Sequence, residues 1–294
     1  MHPAPSLIVF TVFSGLGFGL LAWLGLGPAL GQPEPLGWAA FVWFGLGYGL
    51  AGVGLLASAF HLGHPERMLL AFTQWRSSWL SREAVLSAAT LAVMAPHAAS
   101  SAFAATPLPV FGWLGAALAL ATIFATAMIY AQIRAVPRWH HWSTPPVFLL
   151  AALAGGVLLA AQVTLALVLM LGLGAAMVAH WVAGDQRFAA AGGTSGTATG
   201  LGALGQVRLL EPPHSGRNYL LREMVHVVGR KHAHKLRLIA LGAGALGPAA
   251  LLLLPASYMA IGLALLFHVT GLMAQRWLFF AEAEHVVGLY YGKR

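Results

Sequence analysis

Long apolar runs, broken by short polar or basic stretches, dominate the chain. A helix that crosses a bilayer needs roughly 20 apolar residues. Runs of that length fall at Ser6–Gly27, Trp38–Leu62, Glu83–Phe103, Val110–Gln132, Pro145–Val163, Leu165–Ala183, Leu236–Leu254 and Ala256–Phe279. No polar residue divides Pro145 from Ala183 clearly; the length fits two helices joined by a tight turn near Gln162–Thr164. The run from Leu236 to Phe279 is cut at Leu254-Pro255, where proline stops the first helix. The pattern predicts an all-α polytopic membrane protein, one domain over residues 1–294 built as a bundle of eight transmembrane helices. An even number puts both termini on one side.

Charge then orients the bundle. The loops on the side of the termini are Gly63–Arg82, Ile133–Thr144 and Gly184–Lys235, and with the helix ends and tail of that side they carry all 16 Lys and Arg. The opposite side shows only Glu34. Basic loops stay in the cytoplasm, so both termini are expected there, in a cell inner membrane. Composition agrees with the membrane reading: 59% of residues are hydrophobic and 8% charged, against about 25% charged in a soluble domain. No cleavage pattern follows the first apolar run, which reads as a retained helix. The net charge of +8 reports topology rather than nucleic-acid binding. The absence of cysteine excludes disulfides, thiolate zinc and iron–sulfur clusters ligated by this chain.

Glycine spacing suggests where helices touch. Gly15/Gly19 and Gly45/Gly49 stand at GxxxG spacing, which lets backbones approach where lipid gives no hydrophobic drive to associate. In the long loop 184–235, residues 189–205 are rich in Gly, Ala and Thr and read as a flexible tether. Residues 218–235 repeat Leu221, Val225 and Val228 at helical spacing between basic side chains. Such a basic amphipathic helix lies on lipid headgroups or docks a partner, and the two readings stand level. The same holds for His64–Leu80, where Met68, Leu69, Phe72, Trp75 and Trp79 mix with Arg67 and Arg76.

Candidate chemistry gathers where the second run ends. His61 places a titratable imidazole near the lipid–water boundary, with Arg67 close behind. A quinone headgroup needs such groups, since its oxygens exchange electrons and protons together. His61 can hydrogen-bond a carbonyl and pass a proton; Arg67 and Arg237 can hold developing negative charge. Ser58, Tyr130, Arg82 and Arg276 complete the candidate set around them. On residue types alone the plainer account is a helix C-cap at His61 and arginines that snorkel to the interface. A b-type haem needs two imidazoles at one depth; His61 and His180 are weak candidates, and haem ranks below quinone. His268 is the most deeply placed polar residue, expected as a packed histidine bonded to a backbone carbonyl. No acidic residue falls in the middle of a predicted span, which argues against an ion-coupled transporter. No Walker loop, HExxH or GxSxG motif is present in a usable context, so the chain is expected to be non-catalytic alone.

Ser58-Ala-Phe-His-Leu-Gly-His-Pro-Glu-Arg67 followed by Ser78-Trp-Leu-Ser-Arg-Glu83 resembles the DmsC-type membrane anchor family of dimethyl sulfoxide reductase. Val136-Pro-Arg-Trp139 with Trp142-Ser-Thr-Pro145, Lys235-Leu-Arg237, and the segment from Gly271 through Arg276 to Phe279-Phe280 are similar to further parts of the family. The resemblance spans most of the chain outside the long loop. It implies an eight-helix anchor without haem that passes electrons between an iron–sulfur subunit and the quinone pool, ubiquinone or menaquinone. That subunit in turn serves a molybdopterin catalytic subunit. The family's quinol-site histidine and arginine fall on His61 and Arg67, and a second arginine on Arg237. An acidic residue often found in the last helix is Leu272 here.

The basic loops set a second departure, because reductase anchors of this type hold their catalytic arm outside the cytoplasm. The SoeC-type anchor of sulfite dehydrogenase, whose molybdoenzyme is cytoplasmic, fits the charge pattern better, and Arg230-Lys-His-Ala233 is similar to that subgroup. The expectation is a sulfite:quinone oxidoreductase anchor with its partner subunits on the cytoplasmic side. The alternatives are a quinol-oxidising anchor of a dimethyl sulfoxide-type reductase, a pure tether, or a b-haem cytochrome subunit.

Overall fold

The computed structural model describes residues 4–291 except 61, 63, 212–215, 217, 219, 221–223, 225–231 and 256. His61 and most of the expected amphipathic helix 218–235 lie outside the described residues. The helices are α1 (Pro5–Leu26), α2 (Trp38–Ala59), α3 (Trp79–Ala99), α4 (Pro109–Ala131), α5 (Thr144–Leu159), α6 (Val163–Ala190) and the short α7 (Ser195–Thr199). After the long loop come α8 and α9 (Tyr258–Ala281). α8 runs from Ala233–Leu241 through a π-helical turn, Gly242–Leu246, into Gly247–Leu252.

Among the described residues the protein is all-helical, with seven helices long and apolar enough to span a membrane. The element expected at Pro145–Val163 is present as α5 but has 16 residues. At about 1.5 Å per residue it falls short of a bilayer core of about 30 Å. A turn with Ala161 at φ 57° ends it early. α6 runs on to Ala190, past the expected end at Ala183, and α3 starts at Trp79 rather than Glu83, so Glu83 lies inside a helix. Ser78 caps that start by accepting from Ser81 N–H.

α1 is the hub. It packs against α2, α4, α5 and α9, and 72% of its apolar window is buried against 28% for α2. Small residues make this possible. Gly17 meets the α2 backbone at Ala51, and Gly19 meets the α5 backbone at Ala152, each too closely for any Cβ. GxxxG spacing selects the wrong pair on α2: Gly45 and Gly49 face open space, and Gly47 and Gly54 make the contact with α1.

Proline shapes α8. Pro248 has no N–H to give the carbonyl four residues back, which is Gly244. In a bilayer that carbonyl cannot turn to water. His268 of α9, fully buried, meets it through Nδ1 at 2.6 Å, in the packed-histidine role expected.

The stretch 189–205 contains α7, closed by a Thr194–Thr197 capping box, and a 3₁₀ turn at Gly202–Leu204. Tyr290 Oη donates to Ala198 O at 2.7 Å, joining α7 to the C-terminal 3₁₀ segment Val286–Tyr291.

Candidate functional site

Three polar groups on α3 recur at helical spacing: Glu83, Ser87 and Thr90. Three on α4 do the same: Thr122, Thr126 and Tyr130. All six side chains are buried, because an amphipathic stripe in a membrane helix turns inward, away from lipid. The two stripes face each other. Thr90 and Thr122 hydroxyls lie 3.1 Å apart, and Thr126 Oγ1 donates to Glu83 Oε1 in a short bond. Glu83, expected only as a charge at a helix start, instead holds its carboxylate inside the bundle.

Arg276 of α9 completes this interior group. It is 2% exposed, and its Nε and Nη1 have no hydrogen-bond partner. Its guanidinium carbon lies 3.5 Å from the centroid of the Phe148 ring, a cation–π contact that offsets part of the desolvation. Tyr130, Trp139, Phe148, Phe279 and Phe280 form the aromatic wall beside it, with Tyr130 within 5.3–5.7 Å of the other four rings. Arg276, Thr126, Thr11, Ser14, Phe148 and Leu272 line a cavity of about 10 Å³, room for about one water. The Leu272 side chain, where an acid was noted as missing, therefore forms part of its lining.

Arg237 occupies a different setting. Its Nη1 lies 2.8 Å and its Nη2 2.5 Å from the Asp185 carboxylate, and its Nε lies 2.8 Å from Glu282 Oε1. Arg138 binds the same two acids, at 2.7 Å to Asp185 and 3.5 Å to Glu282. Two cations and two anions thus clasp the α4–α5 loop, α6, α8 and the end of α9. Bidentate geometry makes such bonds strong and directional. Burial pushes the Glu282 carboxyl above its ordinary pKa, and the two arginines pull it back.

The remaining expected residues are dispersed. Arg67 is exposed on the 3₁₀ segment Pro65–Phe72, which packs against α3. Arg82 is half-buried, stacks on Trp79 at 4.4 Å and donates to Trp75 O and Arg76 O, which holds the turn before α3. Ser58 donates to Leu55 O at 2.6 Å. His180 is buried and bonded to Ser143 at 2.8 Å, with its ring stacked on Phe279. The structure places Arg276 at the cavity, with Tyr130 behind it against Phe148, and Arg237 in the clasp; Arg67 stays on the surface.

At the opposite end Glu34 lies 3.3 Å from the buried His97 ring, off the line of a hydrogen bond. Leu108 N–H donates to His97 Nδ1 at 3.3 Å. Burial pushes the Glu34 carboxyl above its usual range.

Among the described residues no group of three or more His, Cys, Asp or Glu side chains is placed to hold a metal ion. The site offers an unpaired buried cation, a hydrogen-bonded carboxylate and an aromatic wall, which suit an oxygen-bearing ring that gains negative charge.

Comparison with known proteins identifies the family. Residues 1–179 match the family model described as DMSO reductase anchor subunit (DmsC). Over 99% of both chains the protein is 32% identical to the C subunit of the sulfite dehydrogenase of Allochromatium vinosum. It is 30% identical, over 53% of this chain and 56% of the relative, to anaerobic dimethyl sulfoxide reductase chain YnfH of Escherichia coli. No solved structure gives a significant match. A polytopic helical bundle whose family match covers more than half its length belongs to the DmsC family of membrane anchor subunits.

Proposed function

We propose that this chain is the membrane anchor and quinone-binding subunit of a molybdenum and iron–sulfur oxidoreductase, a sulfite:quinone oxidoreductase in direction. The observation that carries the quinone assignment is Arg276: a fully buried guanidinium with two unpartnered nitrogens, beside a cavity. An unpaired charge in hydrocarbon is costly and marks function by default. Arg276 is assigned to a quinone oxygen, where a preorganised cation favours added electrons. Glu83, held by Thr126, is assigned to proton exchange with the same ring. The cavity is water-sized, so the headgroup enters as side chains of the wall part. His61 and Arg67 are proposed to border the route from the side of the basic loops. Arg237, already matched by two carboxylates, is assigned to hold the frame rather than to touch the ring.

The chain has no cysteine, so clusters are assigned to a partner subunit, and membership of the anchor family supports a molybdopterin cofactor in another. In this reading α5 counts as an eighth, short membrane segment, both termini are cytoplasmic, and the partners dock on that side. Similarity over the whole chain to a sulfite dehydrogenase subunit supports sulfite as the electron source. The half-length similarity to a dimethyl sulfoxide reductase chain keeps the reverse direction as the second reading.

The test uses the purified complex with a short-chain ubiquinone analogue. Arg276→Gln should assemble, keep transfer to a soluble artificial acceptor, and lose analogue binding and quinone-linked turnover. Unchanged quinone-linked turnover in Arg276→Gln would remove the assignment. Protease cleavage of residues 189–205 in inverted vesicles should occur; protection there would reverse the topology.

A further inference from the structure

A second polar chain enters the bundle from the α4–α5 loop, apart from the cavity. His141 Nδ1 lies 2.7 Å from Ser143 Oγ, and Ser143 Oγ lies 2.8 Å from His180 Nδ1. His141 is half-exposed in the α4–α5 loop, whereas Ser143 and His180 are each 3% exposed. One hydroxyl therefore bridges an imidazole at the surface and one inside.

The local sequence explains why this hydroxyl is available. Ser143 is the N-cap residue of α5 and would ordinarily accept from the N–H of the second or third helical residue. Those residues are Pro145 and Pro146, which have no N–H. Ser143 indeed makes no capping bond. Its hydroxyl is left for the two histidines.

We propose that His141, Ser143 and His180 form a proton relay between water on the side of the basic loops and the quinone site. This rests on the reading of the cavity as a quinone site. His180 stands five residues before Asp185, and Arg276 six before Glu282; the clasp ties Asp185 to Glu282. At about 1.5 Å of rise per residue the two side chains lie at matching depth, roughly 8–9 Å below the clasp. Phe279 joins them: it stacks on His180 at 6.0 Å and meets Phe148 at 5.5 Å, and Phe148 carries Arg276. A headgroup oxygen reaching His180 past Phe279, directly or through one water, completes the path.

The transfer balances without an added reagent. Reduction of a quinone takes two electrons, supplied by the partner subunit, and two protons from water. One of the protons takes this path, the other being left to Glu83: His141 Nε2 gains a proton from water and its Nδ1 proton passes to Ser143 Oγ. The Ser143 proton passes to His180 Nδ1, and His180 Nε2 releases its proton inward. The rings exchange tautomers and no residue changes net charge. Ser143 N–H also points at His141 Nδ1, at 3.4 Å, which holds that nitrogen as an acceptor. That is the arrangement left after an inward transfer, and turning of the hydroxyl and rings resets it.

The groups facing the relay set its pH response. Arg187 of α6 stands near His141, and burial followed by this arginine holds the His141 pKa below the usual imidazole range. His140 is bonded to Ala131 O. Arg138, Arg276 and Arg237 surround His180, with Asp185 and Glu282 balancing the outer two. A relay flanked by cations carries protons one at a time and does not store them.

The test compares the assembled complex with Ser143→Ala, His180→Gln and Ser143→Thr, using a short-chain ubiquinone analogue and, separately, a soluble artificial acceptor. Ser143→Ala and His180→Gln should slow quinone-linked turnover about tenfold or more. The deficit should widen as pH rises and the solvent isotope effect should increase, while artificial-acceptor turnover stays unchanged in both and analogue binding stays unchanged in Ser143→Ala. Ser143→Thr should restore the rate. Should Ser143→Ala fail to assemble, His141→Gln at the half-exposed end is judged by the same readings. Wild-type pH profiles and isotope effects in these variants would overturn the relay while leaving the quinone site standing. A wild-type complex that neither binds nor reduces the analogue would overturn both.

Discussion

Two arginines near one end of the bundle have opposite surroundings. Every nitrogen of the Arg237 guanidinium faces a carboxylate within 2.8 Å. Arg276 is more deeply buried, yet two of its three nitrogens have no hydrogen-bond partner. A matched cation is a fastener, because its field is taken up by its partners. An unmatched cation in a water-excluded site keeps its field for whatever arrives. Position in the chain pointed to Arg237 as the ligand-binding residue; charge balance points to Arg276.

The contrast is sharpest if the two are exchanged for glutamine. Arg276→Gln is expected to lower quinone-linked turnover by about 10²–10³, in line with the loss of a preorganised donor, with the melting temperature held or raised. Arg237→Gln should do the reverse. It leaves two acids to Arg138 alone and lowers stability by about 2–3 kcal/mol, less than the roughly 3–5 kcal/mol of a fully buried pair, because Arg138 still binds both and Arg237 is about a fifth exposed. Thermal unfolding in detergent and turnover of the same samples measure both; equal effects on both quantities would erase the distinction.

Glu83→Gln tests the acid of the interior group. Turnover is expected to fall by about 10²-fold, at the lower bound for a lost general acid or base, while the bond from Thr126 persists to the amide oxygen. A pH–rate profile that keeps its wild-type shape would exclude Glu83 from proton exchange.

A smaller effect concerns the mid-membrane carbonyl. His268→Ala should cost about 1–3 kcal/mol by stranding Gly244 O. In a Pro248→Ala background the new N–H can serve that carbonyl, and the cost of losing His268 should shrink. Additive losses in a double-mutant cycle would break the proposed link.

The smallest expectation is a pH slope at the clasp. Burial raises the Glu282 pKa in the folded state, so the native form binds that proton more tightly than the unfolded chain. As pH rises from the ordinary carboxylate range through the raised value, this group alone makes stability fall. Glu282→Gln should flatten that component of the melting temperature against pH.

Much of the fold was legible in the chain, for one reason: apolar runs of bilayer length have little else to become. All eight expected segments are helices. The failure at α5 came from Gln162, which reads as a tight turn but does not reveal that the helix has already stopped at Leu159. The interior group was legible in part. Glu83, Ser87 and Thr90 share one helix face, as do Thr122, Thr126 and Tyr130, and an isolated polar stripe in a membrane helix predicts a buried seam. The clasp was not legible, since Arg237 meets acids 45 and 52 residues away and such pairing depends on helix rotation. The bridging hydroxyl could have been found: Ser-Thr-Pro-Pro leaves a cap residue with no amide to cap.

The central place of α1 also bears on biogenesis. It is made before the other helices described, yet its surfaces are covered by helices made later, among them α9. As they insert, α2, α4, α5 and α9 must each displace lipid from α1. The contacts of α1 are therefore complete only when α9 arrives, and a chain released before then presents its most closely fitted helix to the bilayer.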